Sequence, residues 1–224
     1  MPITTIVFDA YGTLFDISAA ARRAGDETPG LAALWPRLAE EWRRKQLEYT
    51  WLRSLSGPYA DFRTITAEAL DWALAAQNIT DPALHGRLMS LYDRLDAFPE
   101  VPDTLRRLKE SGLRLAILSN GTPGMLASAT EAAGLTGLLQ AVLSVDPIRI
   151  YKPHASVYAL VEPATGARPQ QVLFASSNGW DIAGAARFGF ATAWVNRMSL
   201  PQDRLTHRPL HEIPDLSHLP RLIT

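Results

Sequence analysis

The feature that most restricts the fold is a change of hydrophobic period along the chain. Near the start, Ile6, Val7 and Phe8 form a short apolar run that stops at Asp9. From about Leu31 to Asp93 the texture is helical, with Trp35, Leu38, Trp42, Leu47, Trp51 and Leu52 at three- and four-residue spacings. Two further stretches, Ala60 to Asn78 and Pro82 to Arg94, continue it; Pro29-Gly30, Gly57-Pro58 and Thr80-Asp81-Pro82 supply the breaks. From Phe98 onward strand and helix alternate. Helices are expected over Val101–Ser111, Pro123–Ala133, Ala155–Thr165 and Asp181–Phe188, and strands over Leu113–Leu118, Ala141–Ser144, Val172–Phe174 and Thr192–Val195. Such a series implies a parallel sheet. The first strand belongs to that sheet, so the helical block is an insert placed just after Asp9, where it can close over the strand ends like a lid.

A carboxylate at the exit of a buried strand faces the crevice where open α/β sheets bind ligands. Gly12 lets the chain turn sharply behind Asp9, so that backbone N–H groups can point at whatever the carboxylate meets. Other strands also end in polar groups: Ser119-Asn120-Gly121 after the second, Lys152-Pro153 shortly after the third, and Ser176-Ser177-Asn178-Gly179-Trp180-Asp181 after the fourth. Each alone fits a turn, a helix cap or a solvated loop. Four strand ends converging on one crevice favour a reaction centre instead.

With 224 residues, 47% of them hydrophobic and 20% charged, the chain can bury a full core, as one domain or a domain with a sizeable insert. The formal charge of -1 argues against a nucleic-acid or anionic-membrane surface, so a small anionic substrate must be met by local cations. There is no cysteine, which removes thiolate nucleophiles, thiolate metal sites and disulfides. The N-terminus reads as a strand rather than a leader, and no run of about 18 apolar residues exists. The expectation is a soluble cytoplasmic protein.

Over essentially its whole length the chain resembles the haloacid dehalogenase superfamily, whose motifs are a strand-end Asp, a strand-end Ser or Thr, a Lys and an acidic last loop. Asp9-Ala10-Tyr11-Gly12-Thr13, Arg43 with Lys45-Gln46-Leu47-Glu48-Tyr49, Ser119-Asn120-Gly121, Tyr151-Lys152-Pro153 and Ser176-Ser177-Asn178-Gly179-Trp180-Asp181 look like the type II L-2-haloacid dehalogenases. The resemblance implies an α/β fold: a Rossmann-like three-layer α/β/α core with a parallel sheet, residues 1–15 and 96–224, and an inserted helical cap domain, residues 16–95. The superfamily's phosphatases carry a second Asp where Tyr11 stands, and hold Mg²⁺ with an acid where Ser177 stands. Halide leaves as a stable anion and needs neither, so no metal and no cofactor are expected.

The implied reaction is hydrolysis of short-chain L-2-haloalkanoic acids to D-2-hydroxy acids and halide, with inversion, through an ester on Asp9. Lys152 would keep Asp9 ionised as its counter-ion. Ser119, Thr13 and backbone amides near Ala10 and Tyr11 would bind the substrate carboxylate, and Arg43 with Asn120 the departing halide. Asp181, held by Ser176 and Asn178, would orient or deprotonate the hydrolytic water. Tyr11, Leu47, Phe62 and Trp180 would form the apolar wall, and Tyr158 matches a family position near the site. Spacing alone leaves open whether Arg43 or Arg44 points inward, and Tyr158, Phe62 and Leu47 fit core packing equally well. Trp35, Trp51 and Trp72 read as packing surface, between subunits in a homodimer. A phosphatase with an altered acid, or a catalytically silent binding protein on the same scaffold, are the competing readings.

Overall fold

A computed structural model describes residues 1–17, 31–91 and 95–223. The Pro29-Gly30 break and the expected ends at Asp93 and Arg94 lie outside the described residues. Six strands form one parallel sheet in the order β3-β2-β1-β4-β5-β6: β1 Thr5–Phe8, β2 Arg114–Ser119, β3 Ala141–Ser144, β4 Val172–Ser176, β5 Ala191–Val195 and β6 His211–Ile213. All four residues of β1 are buried, as expected for a strand covered on both faces. It lies between β2 and β4, where the strand order reverses. Crevices open at such reversals, so the segment leaving β1 is placed for function by topology alone.

Insert helices α1 Leu31–Ser56, α2 Phe62–Ala76 and α3 Pro82–Ser90 separate β1 from β2. The core helices are α4 Val101–Glu110, α5 Pro123–Ala132, α6 Ala155–Tyr158, α7 Val161–Thr165 and α8 Gly179–Phe188. Right-handed crossovers put α4 and α5 on one face of the sheet and α6 to α8 on the other, giving three layers. In α4, Val101, Thr104, Leu105 and Leu108 are buried, a stripe at helical spacing against β2. Each fully buried aliphatic side chain there contributes about 1.5–3 kcal/mol. Asp61, Asp81 and Thr122 cap α2, α3 and α5 by accepting from the first-turn amides.

The insert is anchored at its stem. Asp16 N–H donates to the Asp96 carbonyl over 2.9 Å and Phe98 N–H to the Leu14 carbonyl over 3.0 Å, so its two connections run as a short paired stem. At its far side the Tyr151 hydroxyl donates to the Ala60 carbonyl over 2.6 Å and Tyr59 to the Asp146 carboxylate over 2.5 Å. The helices are thereby held over the strand ends.

Two elements differ from the sequence expectation. The helix expected over Ala155–Thr165 is two short ones, α6 and α7. Pro163 has no N–H for the Ala159 carbonyl and its ring crowds that position, so one continuous helix is broken there. The edge strand β6, three residues paired with β5, has no sequence pattern of its own.

Candidate active site

Asp9 leaves β1 with its N–H bonded to the Ala175 carbonyl, which continues the β1–β4 pairing by one residue. Gly12 has a φ of +81° and its N–H donates to the Phe15 carbonyl over 2.8 Å, while Thr13, Leu14 and Phe15 all direct their amides at the Ala10 carbonyl. This tight turn folds the Thr13 hydroxyl back onto the carboxylate four residues earlier.

The two oxygens of Asp9 meet different partners. Oδ2 accepts from Asn178 Nδ2 at 2.9 Å, Thr13 Oγ1 at 3.1 Å and Ser176 Oγ at 3.4 Å. Oδ1 faces Lys152 Nζ at 3.0 Å, and the same ammonium reaches Asp181 Oδ2 at 2.7 Å. Lys152 and Asp181 are 1% and 0% exposed, Asp9 7%, so one cation lies between two carboxylates almost without water. Isolated, each buried ion would cost several kcal/mol; it is tolerable here only because every charged oxygen is hydrogen-bonded. Burial pulls the Lys152 ammonium down, but Asp181 and then Asp9 outweigh it, and the net direction is up. Asp181 is pushed up to about 6: burial raises it most, Lys152 pulls it back, and the second carboxylate, Asp9, raises it again.

Asp181 lies in the first turn of α8, and Tyr158 donates to its Oδ1 over 2.7 Å. Burial, then Asp181, push the Tyr158 phenol far up, so it remains a donor. Asn178 occupies the N-cap position of α8, yet its side chain goes to Asp9 instead of the helix, while its backbone N–H donates to Ser176 Oγ over 3.1 Å. Asn120 Oδ1 accepts from the Lys152 backbone N–H at 3.1 Å, tying the lysine loop to the end of β2. Ser119 Oγ accepts from Gly121 N–H, which leaves its hydroxyl hydrogen to donate.

A cavity of about 230 Å³ opens beside this cluster, lined by Tyr11, Gly12, Ser177 and Asn178 from the core and by Trp35, Trp42 and Arg43 from α1. Arg43 therefore faces the crevice, whereas Arg44 pairs with Glu48 on the exposed side and stacks over Trp72. Phe62 is buried and stacks on Tyr11, ring centroids 5.8 Å apart. Ala10 is fully buried beneath Asp9. Trp180 packs edge-on against Trp51, 5.5 Å away, in a separate groove of about 880 Å³ that reaches Lys152 from the opposite side. Leu47 is half-buried on α1 and lines neither space. Thus Asp9, Thr13, Lys152, Ser176, Asn178 and Asp181 form one bonded cluster, but Ser176 and Asn178 hold Asp9 and not Asp181 as expected, which Tyr158 and Lys152 hold instead; Tyr11 and Arg43 wall the adjoining cavity, Trp180 lines the groove that reaches Lys152, and Leu47 lines neither.

Arg197 joins the site although no motif pointed to it. It follows β5, donates to the Thr13 carbonyl over 2.9 Å, pairs with Glu100 at 2.6 Å and lies 3.9 Å over the Phe98 ring. The signal was available: Asn196-Arg197 is the polar pair that ends the fifth strand at the same crevice. Gly179, at the start of α8, has no room for a side chain, since a Cβ there would run into the Asp203 carboxylate.

A divalent cation does not fit this donor set. The space between the two acids holds the Lys152 ammonium, and the loop position for a further acid is Ser177, whose Oγ is 3.2 Å from Thr13 Oγ1. Mg²⁺ needs an octahedron of oxygens, with carboxylates to offset its charge. Among the described residues no three His, Asp or Glu side chains cluster to hold a metal.

A model of the haloacid dehalogenase-like hydrolase family matches residues 3–189. The chain is 44% identical to (S)-2-haloacid dehalogenase 1 of Pseudomonas sp. (strain CBS-3), covering 99% of this chain and 97% of that protein. It is 42% identical to (S)-2-haloacid dehalogenase 4A of Burkholderia cepacia, over 95% and 91% of the two chains. The L-2-haloacid dehalogenase of Xanthobacter autotrophicus, solved with chloropropionic acid covalently bound, is similar at a TM-score of 0.89 and 39% identity, over 99% and 98% of the two chains.

Proposed function

Since the chain belongs to the haloacid dehalogenase-like hydrolases, we propose that it hydrolyses the carbon–halogen bond of short-chain L-2-haloalkanoic acids through an ester on Asp9, giving D-2-hydroxy acids. The observation that carries the reading is the Lys152 ammonium between Asp9 and Asp181. It supplies a desolvated, oriented carboxylate, while Tyr11 offers no acid for a leaving alkoxide, and halide needs none.

Oδ1 of Asp9 attacks C2 as the carbon–halogen bond breaks; the electron pair leaves with the halide and the carbon inverts. Ser119 holds the substrate carboxylate, the single hydroxyl hydrogen of Thr13 being directed at Asp9 Oδ2, and Arg43, with Asn120, receives the halide. The ester carbonyl oxygen is then Oδ2, already surrounded by Asn178, Thr13 and Ser176, the donors an oxyanion requires. Water adds to the Asp9 carboxyl carbon and gives a proton to Asp181, and collapse of the adduct expels the hydroxy acid oxygen, which takes that proton back from Asp181. Esterification removes the Asp9 charge, so Asp181 pairs with Lys152 alone and its proton affinity falls. The base is thus readied by the step that precedes it.

The cap, residues 16–95, delivers Arg43 and the Phe62–Tyr11 stack and limits water. Leu52, Leu55 and Trp72 expose apolar surface on α1 and α2, which supports a homodimer through this insert. Among the described residues no helix is long and apolar enough to cross a membrane; a cytoplasmic location is part of the proposal and is tested by fractionation.

L-2-Chloropropionate offered to the purified protein in a chelator releases chloride and D-lactate. Chelator-sensitive phosphate release from an aryl phosphate, without chloride, would replace this reading by a phosphatase; neither product would leave a silent binding scaffold.

A further inference from the structure

We propose that Gln46 is a positioning residue for Arg43, holding the guanidinium in place without neutralising it. The run Arg43-Arg44-Lys45 carries three cations, and two of them, Arg44 and Lys45, share Glu48. Arg43 is different. Its NH1 donates to the neutral amide oxygen Oε1 of Gln46 at 2.6 Å, and among the described residues no carboxylate lies within ion-pair reach.

The direction of every bond in this relay is fixed by chemistry. A guanidinium only donates, so Gln46 must present Oε1 to it and Nε2 to the other side. Nε2 donates to Thr66 Oγ1 at 2.7 Å, and Thr66 donates onward to the Phe62 carbonyl at 2.6 Å. Gln46 and Thr66 are both 0% exposed, and Trp42 Nε1 clamps the Thr66 carbonyl at 2.8 Å from the adjoining turn of α1. A glutamine buried this completely has no solubility role, and leaving its amide unsatisfied would carry the full desolvation penalty of a buried polar group. A carboxylate at this position would hold the arginine at least as tightly. It would also cancel the charge that an anion in the cavity has to meet, whereas an amide supplies the geometry and adds no negative charge to a cavity that the Asp16 carboxylate already lines. The relay ends on the backbone of Phe62, so the cation and the Phe62–Tyr11 stack share one scaffold.

This inference rests on the assignment of Arg43 to the departing halide, and the test separates the two. Four proteins are compared in kcat/KM for L-2-chloropropionate and in inhibition by bromide: wild type, Arg43→Ala, Gln46→Met and the double variant, with melting temperatures alongside. Gln46→Met is expected to lower kcat/KM about tenfold to a hundredfold, the cost of a misplaced catalytic group, and to weaken bromide inhibition. In the Arg43→Ala background the same change is expected to have almost no effect. An undiminished loss in that background would overturn the positioning role, because Gln46 would then act on folding or elsewhere. An Arg43→Ala protein with wild-type kinetics would remove the halide assignment itself. If Gln46→Met does not fold, Gln46→Glu replaces it: the acceptor for Arg43 is kept while the donor to Thr66 is lost, and kcat/KM and bromide inhibition both fall as the charge is cancelled. Wild-type values in Gln46→Glu would overturn the proposal.

Discussion

Replacing Tyr158 by phenylalanine removes one hydrogen bond from the Asp181 cluster and leaves its charges in place. The hydroxyl donates to Asp181 Oδ1 over 2.7 Å in a fully buried setting. Bonds of this kind to a charged acceptor contribute about 1.5–3 kcal/mol. The bond favours the ionised carboxylate, so its loss raises the proton affinity of Asp181, by about one to two pH units at about 1.4 kcal/mol per unit. Asp181 starts at about 6 in the free enzyme and lower in the ester, where Asp9 no longer carries the charge that raises it. The base must be ionised to accept the proton of water, so ester hydrolysis is lost as pH falls through that value and is full above it. In the variant the acid limb moves to higher pH. At a pH below both limbs the rate drops about tenfold to a hundredfold, and above both limbs it is unchanged. Rapid-quench single turnovers that follow hydroxy acid release at a series of pH values read this directly. An acid limb at the same pH in both proteins, or a uniform loss at every pH, would refute Asp181 as the base.

Lys152→Met leaves Asp9 and Asp181 facing each other without a cation, at a cost of about 3–5 kcal/mol; a large fall in the urea midpoint with no halide release is expected, and wild-type stability would contradict the buried triad. Arg44→Ala removes an exposed i,i+4 pair worth about 0.3–0.5 kcal/mol and an exposed stack on Trp72 worth about 0.5–1 kcal/mol, so melting temperature falls slightly and kcat/KM stays near wild type while Arg43→Ala loses kcat/KM; equal losses in kcat/KM would show that the cap helix is turned differently. Ser177→Asp places an acid beside Thr13, and Mg²⁺ titration of that variant by calorimetry is expected to show no binding while Lys152 fills the site; tight binding would contradict the fit argument.

Local chemistry was legible in the sequence, and distance was not. The strand ends at Asp9, Ser119 and Ser176 could be read because apolar runs stop there, and their adjacency followed from a parallel sheet. The spacing of residues 9, 152 and 181 says nothing of a single ammonium bridging two acids; the family resemblance implied the Lys152–Asp9 pair alone, and the bond to Asp181 came from the structure. Helical periodicity could not separate Arg43 from Arg44, because the residue that settles it, Gln46, counts as polar in any pattern yet is fully buried. Pro163 did carry the break between α6 and α7, a signal in the sequence that the expected single helix ignored. β6 is held by pairing at the sheet edge, so nothing in its three residues announces it. Trp180 sits in the acidic-loop motif, but its ring turns to Trp51 of α1, a partner more than a hundred residues away that no local pattern indicates.

The most direct test of the account is the fate of oxygen. One turnover of L-2-chloropropionate by excess enzyme in heavy-oxygen water, followed by mass analysis of the peptide containing Asp9 and of the lactate, separates the possible paths. Covalent catalysis predicts one heavy oxygen in the Asp9 carboxylate and none in the alcohol of the product. Heavy oxygen in the lactate with an unlabelled Asp9 would mean that water attacked the carbon directly, and the aspartyl ester would have to be abandoned.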